Sequence, residues 1–316
     1  MTSSQFTFFP RATRLSAMRS VLAADGRTLT VREGGDPAGV PVLFISGTPG
    51  SSTIYPPHAR DAEERGIRLF SYDRPGYGDS TRLKGRTVAD CVADIVTVCD
   101  ALDVDRFCVW GVSGGGPHAL AAAALLPDRV IAAASLASVA PYDAEGLDFF
   151  EGMGEQNVEE YADIFAGEDV LRASTEKLRN ELLSSTPEQF AEVWQTLLGP
   201  ADRAVATGSR AAFLLDDMRA GIGTSVDGWI DDDFAFVAPW GFDLGSIRVP
   251  VQLWQGKQDK FVPYGHGVWL AAHIPGVDAR LTPEDGHLTL AEHRVPGVHA
   301  WLLEHAALET ESAPAA

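Results

Sequence analysis

The chain has 316 residues, of which 45% are hydrophobic and 22% are charged, a composition typical of globular proteins and unlike that of fibrous or disulfide-rich ones. Its formal net charge is −19, which excludes a nucleic-acid backbone or an anionic membrane surface as an expected partner. No apolar run approaches the roughly 18 residues that a membrane-spanning helix needs.

The N-terminal residues and the cysteines favour a cytoplasmic location. A secretory signal begins with basic residues and continues with an apolar stretch, whereas here Arg11, Arg14 and Arg19 follow a short phenylalanine cluster. The three cysteines are odd in number and lack metal-ligand spacing, so we expect reduced thiols in the core. They are Cys91, Cys99 and Cys108.

Apolar β-type segments alternate with amphipathic segments over the first half of the chain. This order is typical of a parallel sheet covered by helices on both faces. The predicted strands are 28–33, 40–46, 67–73, 106–112 and 130–140, and the predicted helices are 57–66, 87–102 and 118–126.

The alternation stops near residue 141 and returns near residue 249. The intervening segment, 141–240, contains 21 acidic and 6 basic residues, and its segments 168–185 and 187–198 have helical periodicity. After it come a predicted strand, a helix, another strand, a last helix and a disordered tail. The two strands cover 249–256 and a segment that starts at 279, the two helices cover 264–273 and 294–306, and the tail is 308–316. We therefore predict a discontinuous α/β core, 1–140 and 241–316, interrupted by an acidic helical cap at 141–240.

The sequence Gly111-Val112-Ser113-Gly114-Gly115 contains a Gly-x-Ser-x-Gly pattern. An apolar strand precedes it and a helix of small residues follows, which is the strand–turn–helix context of a nucleophile elbow. The turn is strained, so its neighbours must lack bulk. The following helix N-terminus would place backbone N–H groups where an oxyanion forms. Ser113 is therefore the candidate nucleophile.

An activated serine needs a base, and the base needs an acid that orients it. His287 and Asp259 each follow a predicted strand, at the sheet edge where ligand sites of open α/β sheets form. His266 and His293 remain alternative bases. Asp143, after the strand that ends near Val139, remains an alternative acid.

Two further blocks extend the pattern. Residues 46–50, Ser-Gly-Thr-Pro-Gly, resemble a His-Gly-x-Pro-Gly loop, and residues 73–80 resemble an Asp-x-x-Gly-x-Gly-x-Ser turn. The elbow, a Gly-x-x-Asp block at 256–259 and a Gly-His block at 286–287 follow in order. With these blocks the chain resembles capped serine hydrolases of the α/β-hydrolase fold, in the esterase and haloperoxidase-like group. The resemblance covers about 21–140 and 241–305. It implies a mostly parallel central sheet flanked by helices, with a helical cap insertion.

The resemblance also implies roles for single residues. Ser113 would be the nucleophile, His287 the base and Asp259 the orienting acid, with no metal or organic cofactor. The backbone N–H groups of Thr48 and Gly114 would form the oxyanion hole.

The 46–50 loop departs from the family at one position. Ser46 stands where the family usually has His, which leaves the internal hydrogen bonding of this loop open. The Thr48–Pro49 bond is a candidate cis peptide, because proline follows.

The cap would form the roof of the substrate pocket. We expect Trp194, Phe213 and Trp240 to contact the substrate, and Met153 and Met218 to serve packing. Asp231, Asp232 and Asp233 are consecutive, so a shared metal is disfavoured and a solvated face is predicted.

These features predict a serine hydrolase acting on a small neutral or cationic ester, lactone or amide, since the acidic cap disfavours anionic substrates. C–C bond hydrolysis, thioester hydrolysis, perhydrolysis and peptide cleavage remain alternatives within the same fold. A small-molecule receptor with little or no turnover is the non-enzymatic alternative. The oligomeric state is not predicted.

Overall fold

The computed structural model describes residues 18–312, with side chains described through residue 309. The prediction about a secretory signal concerns residues that lie almost wholly outside this range. Within it, no helix is both long enough and apolar enough to cross a bilayer.

An eight-stranded sheet forms the centre of the molecule, with the strand order β1-β2-β4-β3-β5-β6-β7-β8. The β1–β2 and β2–β4 pairs are antiparallel and the remaining pairs are parallel, so the predicted mostly parallel sheet is confirmed. The strands are β1 (Arg19–Leu22), β2 (Thr28–Gly35), β3 (Val40–Ile45), β4 (Ile67–Tyr72), β5 (Phe107–Val112), β6 (Val130–Leu136), β7 (Val251–Gly256) and β8 (Asp278–Thr282).

Helices cover both faces of the sheet and fill the long connection between β6 and β7. They are α1 (Pro56–Arg65), α2 (Cys91–Ala101), α3 (Gly115–Leu125), α4 (Glu155–Ala166), α5 (Glu168–Ser184), α6 (Phe190–Val193), α7 (Pro200–Val205), α8 (Gly208–Ile222), α9 (Asp227–Val237), α10 (Tyr264–His273) and α11 (His287–Ser312). Helices α4 to α9, called the helical insertion below, fall within the predicted segment 141–240.

The strand β3 shows how the sequence divides the core into two layers. Successive side chains of a strand point to opposite faces, and Leu43 and Ile45 join the cluster that includes α2 and α3. Val42 and Phe44 join the cluster that includes α1 and α11. A continuous apolar run is what a strand buried on both faces requires. The three cysteines are free and buried in these layers, as predicted.

The helical insertion packs on the sheet domain through its own apolar core. Trp194, Leu215 and Trp229 of this core contact Tyr77, from the turn after β4, and Leu288, at the start of α11. The insertion therefore lies against the same two segments that carry the 73–80 turn and His287.

Two predicted elements, the strand over 130–140 and the helix over 187–198, are shorter in the structure. The strand predicted over 130–140 ends at Leu136, because Ala137 has a φ of 50° that a strand cannot continue. The helix predicted over 187–198 is reduced to the single turn α6. Trp194 leaves helical geometry there, and the following Leu197 and Leu198 are buried in the core of the insertion.

The C-terminal prediction is wrong for residues 308–312. Helix α11 begins at His287 and continues through Ser312. Leu302 and Ala306 pack against the sheet, and Glu309 pairs with Arg106, so the last turns have tertiary partners that local sequence does not reveal. Residues 313–316 lie outside the described range.

Candidate active site

Ser113 occupies a strained turn between β5 and α3. Its φ is 55°, in the left-handed region that non-glycine residues rarely adopt. A Cβ on Gly111 would lie 2.1 Å from the carbonyl oxygen of Gly115, and a Cβ on Gly115 would lie 2.2 Å from that of Ile45. The elbow therefore needs glycine at both positions, as the sequence pattern predicts.

The loop after β3 lies directly against this elbow. A Cβ on Gly47 would lie 3.2 Å from the Ser113 Cβ, and one on Gly114 would lie 2.3 Å from Thr48 Oγ1. Gly114 is the N-cap of α3, so its N–H belongs to the group that has no acceptor inside the helix. The Thr48–Pro49 peptide is cis, as predicted.

Arg74 supplies the hydrogen bonds of the loop in which Ser46 replaces the family histidine. Its guanidinium donates to the carbonyl oxygens of Ser46 at 2.5 Å and Gly47 at 3.0 Å, and to Thr48 Oγ1 at 3.0 Å. The side chain is buried. Through Arg74, the 73–80 turn therefore holds the loop by hydrogen bonds. The sequence did not predict this role for Arg74.

Asp232 anchors the same network, and the prediction that Asp231–Asp233 form a solvated face is wrong. All three are buried. Asp232 Oδ2 accepts hydrogen bonds from Thr48 Oγ1 at 2.6 Å, Arg74 at 2.6 Å and Tyr77 at 2.8 Å. Burial raises its pKa, but Arg74 and Arg86 outweigh burial and hold the pKa well below its usual range.

The three carboxylates differ in direction because consecutive residues of a helix are about 100° apart. Asp231 turns to Arg82, at 2.7 Å, and Asp232 turns to the loop. Asp233 lines the pocket described below. No arrangement of three or more His, Cys, Asp or Glu side chains suited to a metal occurs in the described part of the chain.

His287 and Asp259 are in contact. His287 Nδ1 lies 2.8 Å from Asp259 Oδ2, and Asp259 Oδ1 accepts from the backbone N–H groups of Phe261 and Val262 at 2.9 Å each. The imidazole stacks on the Phe261 ring with a centroid separation of 4.6 Å. These contacts leave Nε2 as the free ring nitrogen of His287.

The alternative residues lie elsewhere. Both ring nitrogens of His266 are engaged, one accepting from the Ala140 N–H at 3.1 Å and the other bonded to the Phe149 carbonyl oxygen at 2.8 Å. His293 and Asp143 are exposed. Of the residues considered from the sequence, only His287 and Asp259 pair with each other.

Asp202 is a residue that sequence analysis missed. It lies on α7 of the helical insertion and is fully buried. Its carboxylate accepts from the backbone N–H groups of His287 at 2.8 Å, Leu288 at 2.8 Å and Thr289 at 3.1 Å. A carboxylate from the insertion thus caps the N-terminus of α11, where the helix dipole favours negative charge.

Two carboxylates act on the protonation of His287. Burial lowers the pKa of its imidazole, but Asp259, through charge and hydrogen bond, and Asp202, through charge, raise it, and the net pKa lies above the usual value. These carboxylates stabilise the imidazolium that a general base becomes when it takes a proton.

Ser113 and His287 line one pocket between the sheet domain and the helical insertion, with a cavity volume of about 180 Å³. Trp194 and Phe213 line it, and their contact with the substrate stays a prediction. Trp240 does not line the pocket: it is buried against Phe242 and the core, so its predicted substrate contact is wrong.

Met153 and Met218 pack against neighbouring core clusters, as expected. Both side chains also border the pocket. Their flexible thioethers contribute to its walls.

The pocket contains more acidic than basic side chains. Glu160, Asp217 and Asp233 line it, while Arg210 is the only Arg or Lys among its described lining residues. Arg210 pairs with Glu292 at 3.3 Å. Burial raises the pKa of Asp217 to about 7, although it accepts hydrogen bonds from the Ser51 N–H and hydroxyl at 3.1 and 2.6 Å.

Comparisons with known proteins agree with this architecture. A family model described as alpha/beta hydrolase fold matches residues 40–294. A pimeloyl-[acyl-carrier protein] methyl ester esterase of Chromobacterium violaceum is 27% identical over 256 residues, covering 80% of this chain and 89% of that protein. A probable proline iminopeptidase of Leptolyngbya boryana is 35% identical, but over only 107 residues, a third of either chain.

A solved structure extends the likeness to the whole fold. The bromoperoxidase of Bacillus anthracis superimposes with a TM-score of 0.65 at 20% identity, covering 91% of this chain and 99% of that one. At this identity the likeness concerns the fold alone. The family model confirms the resemblance to the α/β-hydrolase fold, and the chain belongs to the alpha/beta hydrolase fold family.

Proposed function

We propose that the protein is a serine hydrolase that cleaves a small ester, lactone or amide through an acyl intermediate on Ser113. The observation that carries the proposal is the His287–Asp259 contact of 2.8 Å in the pocket that also exposes Ser113 on its strained turn. Nucleophile, base and orienting acid are the three parts that acyl transfer by serine requires.

In the proposed reaction His287 Nε2 takes the hydroxyl proton while Ser113 Oγ attacks the substrate carbonyl carbon. The N–H groups of Gly114 and Thr48 stabilise the oxyanion. His287 then gives its proton to the leaving group, and the carbon–oxygen or carbon–nitrogen bond breaks. Water, deprotonated by His287, attacks the acyl-enzyme and releases the acid and free Ser113.

The pocket favours a small substrate without negative charge. A volume of about 180 Å³ is below the roughly 300–1,000 Å³ of sites for drug-sized ligands. Its basic side chain, Arg210, is already paired with Glu292, while three carboxylates line the walls. An anionic acyl group, such as the dioxo acids of C–C hydrolases, would lack a free cation in the described lining.

The named relatives do not decide the substrate. The iminopeptidase alignment spans only about a third of that protein, so it does not carry that protein's activity over to this chain. Thioester hydrolysis, perhydrolysis and ligand binding without turnover use the same pocket and remain outcomes of the test.

The first experiment is labelling with a fluorophosphonate probe. We expect the wild type to be labelled, and Ser113→Ala and His287→Gln to lose labelling while keeping the wild-type melting temperature within a few degrees. A panel of small acyl esters, thioesters and amides then gives the preferred bond. A wild type that neither reacts with the probe nor turns over any ester would refute the serine hydrolase.

A further inference from the structure

One carboxylate in the pocket has no hydrogen-bond or ion-pair partner in the described part of the chain. Asp233, on α9, is only 6% exposed, and its Oδ2 is buried without a hydrogen bond. Among the described residues it forms no ion pair within 4.0 Å. A buried carboxylate is costly unless it is paired or hydrogen-bonded. The other pocket and site carboxylates differ: Asp217 is bonded to Ser51, and Asp259 to His287.

Glu160, on α4, lines the same pocket. Its Oε1 accepts a hydrogen bond from Trp229 Nε1 at 2.8 Å, and no basic side chain in the described structure pairs with it. Burial raises the pKa of Glu160 to about 7. Burial and then Glu160 raise the pKa of Asp233 well above its usual value. Neighbouring carboxylates in a dry site behave in this way when no positive charge neutralises them.

The nearby positive groups are already used. The charge of Arg86 lowers the pKa of Asp233, but its guanidinium lies 2.6 Å from Asp232 Oδ1 and pairs with that residue. Arg210, which also lines the pocket, pairs with Glu292. Among the described residues no free cation remains for Glu160 and Asp233, so a cation that satisfies them would come from outside this part of the chain.

We propose that Glu160 and Asp233 form the binding subsite for an ammonium group of the substrate, so that the preferred substrates are small esters or amides carrying a primary or secondary amine. This subsite deepens the proposed function and rests on it for the reacting bond. An ammonium group supplies two or three N–H donors, which match the free oxygens of the pair. Tyr161 and Trp229 also line this pocket, and aromatic rings attract alkylammonium groups.

A divalent metal fits the pair less well. Calcium takes about six to eight oxygen ligands and magnesium requires octahedral coordination, whereas the described residues bring two carboxylates and aromatic walls to this place. Burial and the neighbouring Glu160 favour the protonated form of Asp233 when no cation is present, and an ammonium ion would displace that proton.

The kinetic test uses two methyl esters of equal shape. Alanine methyl ester, at a pH where its amine is protonated, and methyl isobutyrate differ only in an ammonium and a methyl group; 3-aminopropanoate and butanoate esters repeat the comparison with a longer reach. We expect kcat/KM to favour the ammonium ester at least tenfold in at least one pair. Glu160→Gln and Asp233→Asn should each lower that ratio about tenfold or more.

Glu159→Gln is the matched control, because Glu159 is the exposed neighbour of Glu160 on the same helix. It removes the same charge outside the pocket and should leave the ratio unchanged. Two results would overturn the subsite: a wild-type ratio of one or below in both pairs, or pocket variants that keep the wild-type ratio.

A binding measurement separates the subsite from the hydrolase proposal. In Ser113→Ala, calorimetry should show tighter binding of the ammonium ester than of its neutral counterpart, and adding Glu160→Gln should abolish that difference. If the ammonium ester binds more tightly but the wild type turns over no ester, the subsite is supported and the hydrolase proposal is refuted. Turnover of neutral esters with no ammonium preference in binding or kinetics refutes the subsite alone.

Discussion

Replacing Asp202 by Asn tests how the helical insertion supports the candidate base. Oδ2 accepts from the N–H of His287, and Oδ1 from those of Leu288 and Thr289. An amide keeps one oxygen, so at least one buried N–H would face an NH₂ group instead of an acceptor. Loss of an N-cap costs roughly 0.5–2 kcal/mol, and a charged acceptor adds to this. We expect about 1–3 kcal/mol of lost stability.

The same change should alter the pH dependence. Asp202 raises the pKa of the His287 imidazole, so removing its charge lowers that pKa. The base works when neutral, and activity therefore rises as pH passes the pKa from below. The acid limb of kcat/KM for a neutral ester should move to lower pH in Asp202→Asn, while in the wild type its midpoint lies above the usual histidine value of about 6.5.

Two measurements and one control decide the matter. Urea unfolding gives the stability loss, and kcat/KM between about pH 5 and 9, the range in which histidine titrates, gives the acid limb. Asp169→Asn removes an exposed carboxylate of the same insertion and should change neither. If Asp202→Asn matches the wild type in both stability and pH profile, Asp202 neither caps α11 nor acts on His287, and the reasoning is wrong.

The elbow and the loop network give two further predictions. Gly115→Ala would bring a Cβ within 2.2 Å of a β3 carbonyl oxygen and should lower the melting temperature by several degrees or prevent folding. Gly297→Ala, in open space on α11, is the control and should leave the melting temperature unchanged. Equal melting temperatures for the two variants would contradict the close approach. Asp232→Asn leaves Arg74 and Arg86 without a buried counter-charge and should cost roughly 3–5 kcal/mol in urea unfolding. Because the pKa of Asp232 is held low, its stabilisation is complete above the unfolded-state pKa of about 3.9 and is lost only as pH falls further. The cost should therefore be the same at pH 5 and pH 7, and a loss below 1 kcal/mol would refute the network.

Local signals predicted the parts of the site that neighbours in sequence build. The strand before Ser113, the glycines around it and the helix after it are contiguous, so their pattern fixes the elbow. His287 and Asp259 were found because each follows a strand, and parallel strands end at one sheet edge. The strand β1 was missed because four residues, paired only with β2 at the edge, carry little periodic signal.

Long-range partners could not be predicted in this way. Asp202 lies 85 positions before His287, and Asp232 lies 158 positions after Arg74. Neither aspartate differs locally from a solvated helix residue. Trp240 was misplaced for the same reason, since an aromatic residue at the end of the insertion can face either the pocket or the core. For Asp231–Asp233, helical spacing alone would have indicated three separate directions.

Part of the acidic charge of the helical insertion lies in the interior. The sequence predicts a solvated face only for Asp231–Asp233, yet Asp202, Asp232 and Asp233 are buried. Each has a separate place: one under the backbone of His287, one under the loop that holds Thr48, and one in the pocket wall. A buried carboxylate persists only where a partner compensates its desolvation. Backbone N–H groups compensate the first and guanidinium groups the second, and the third is the one whose compensation the proposed ammonium ligand provides.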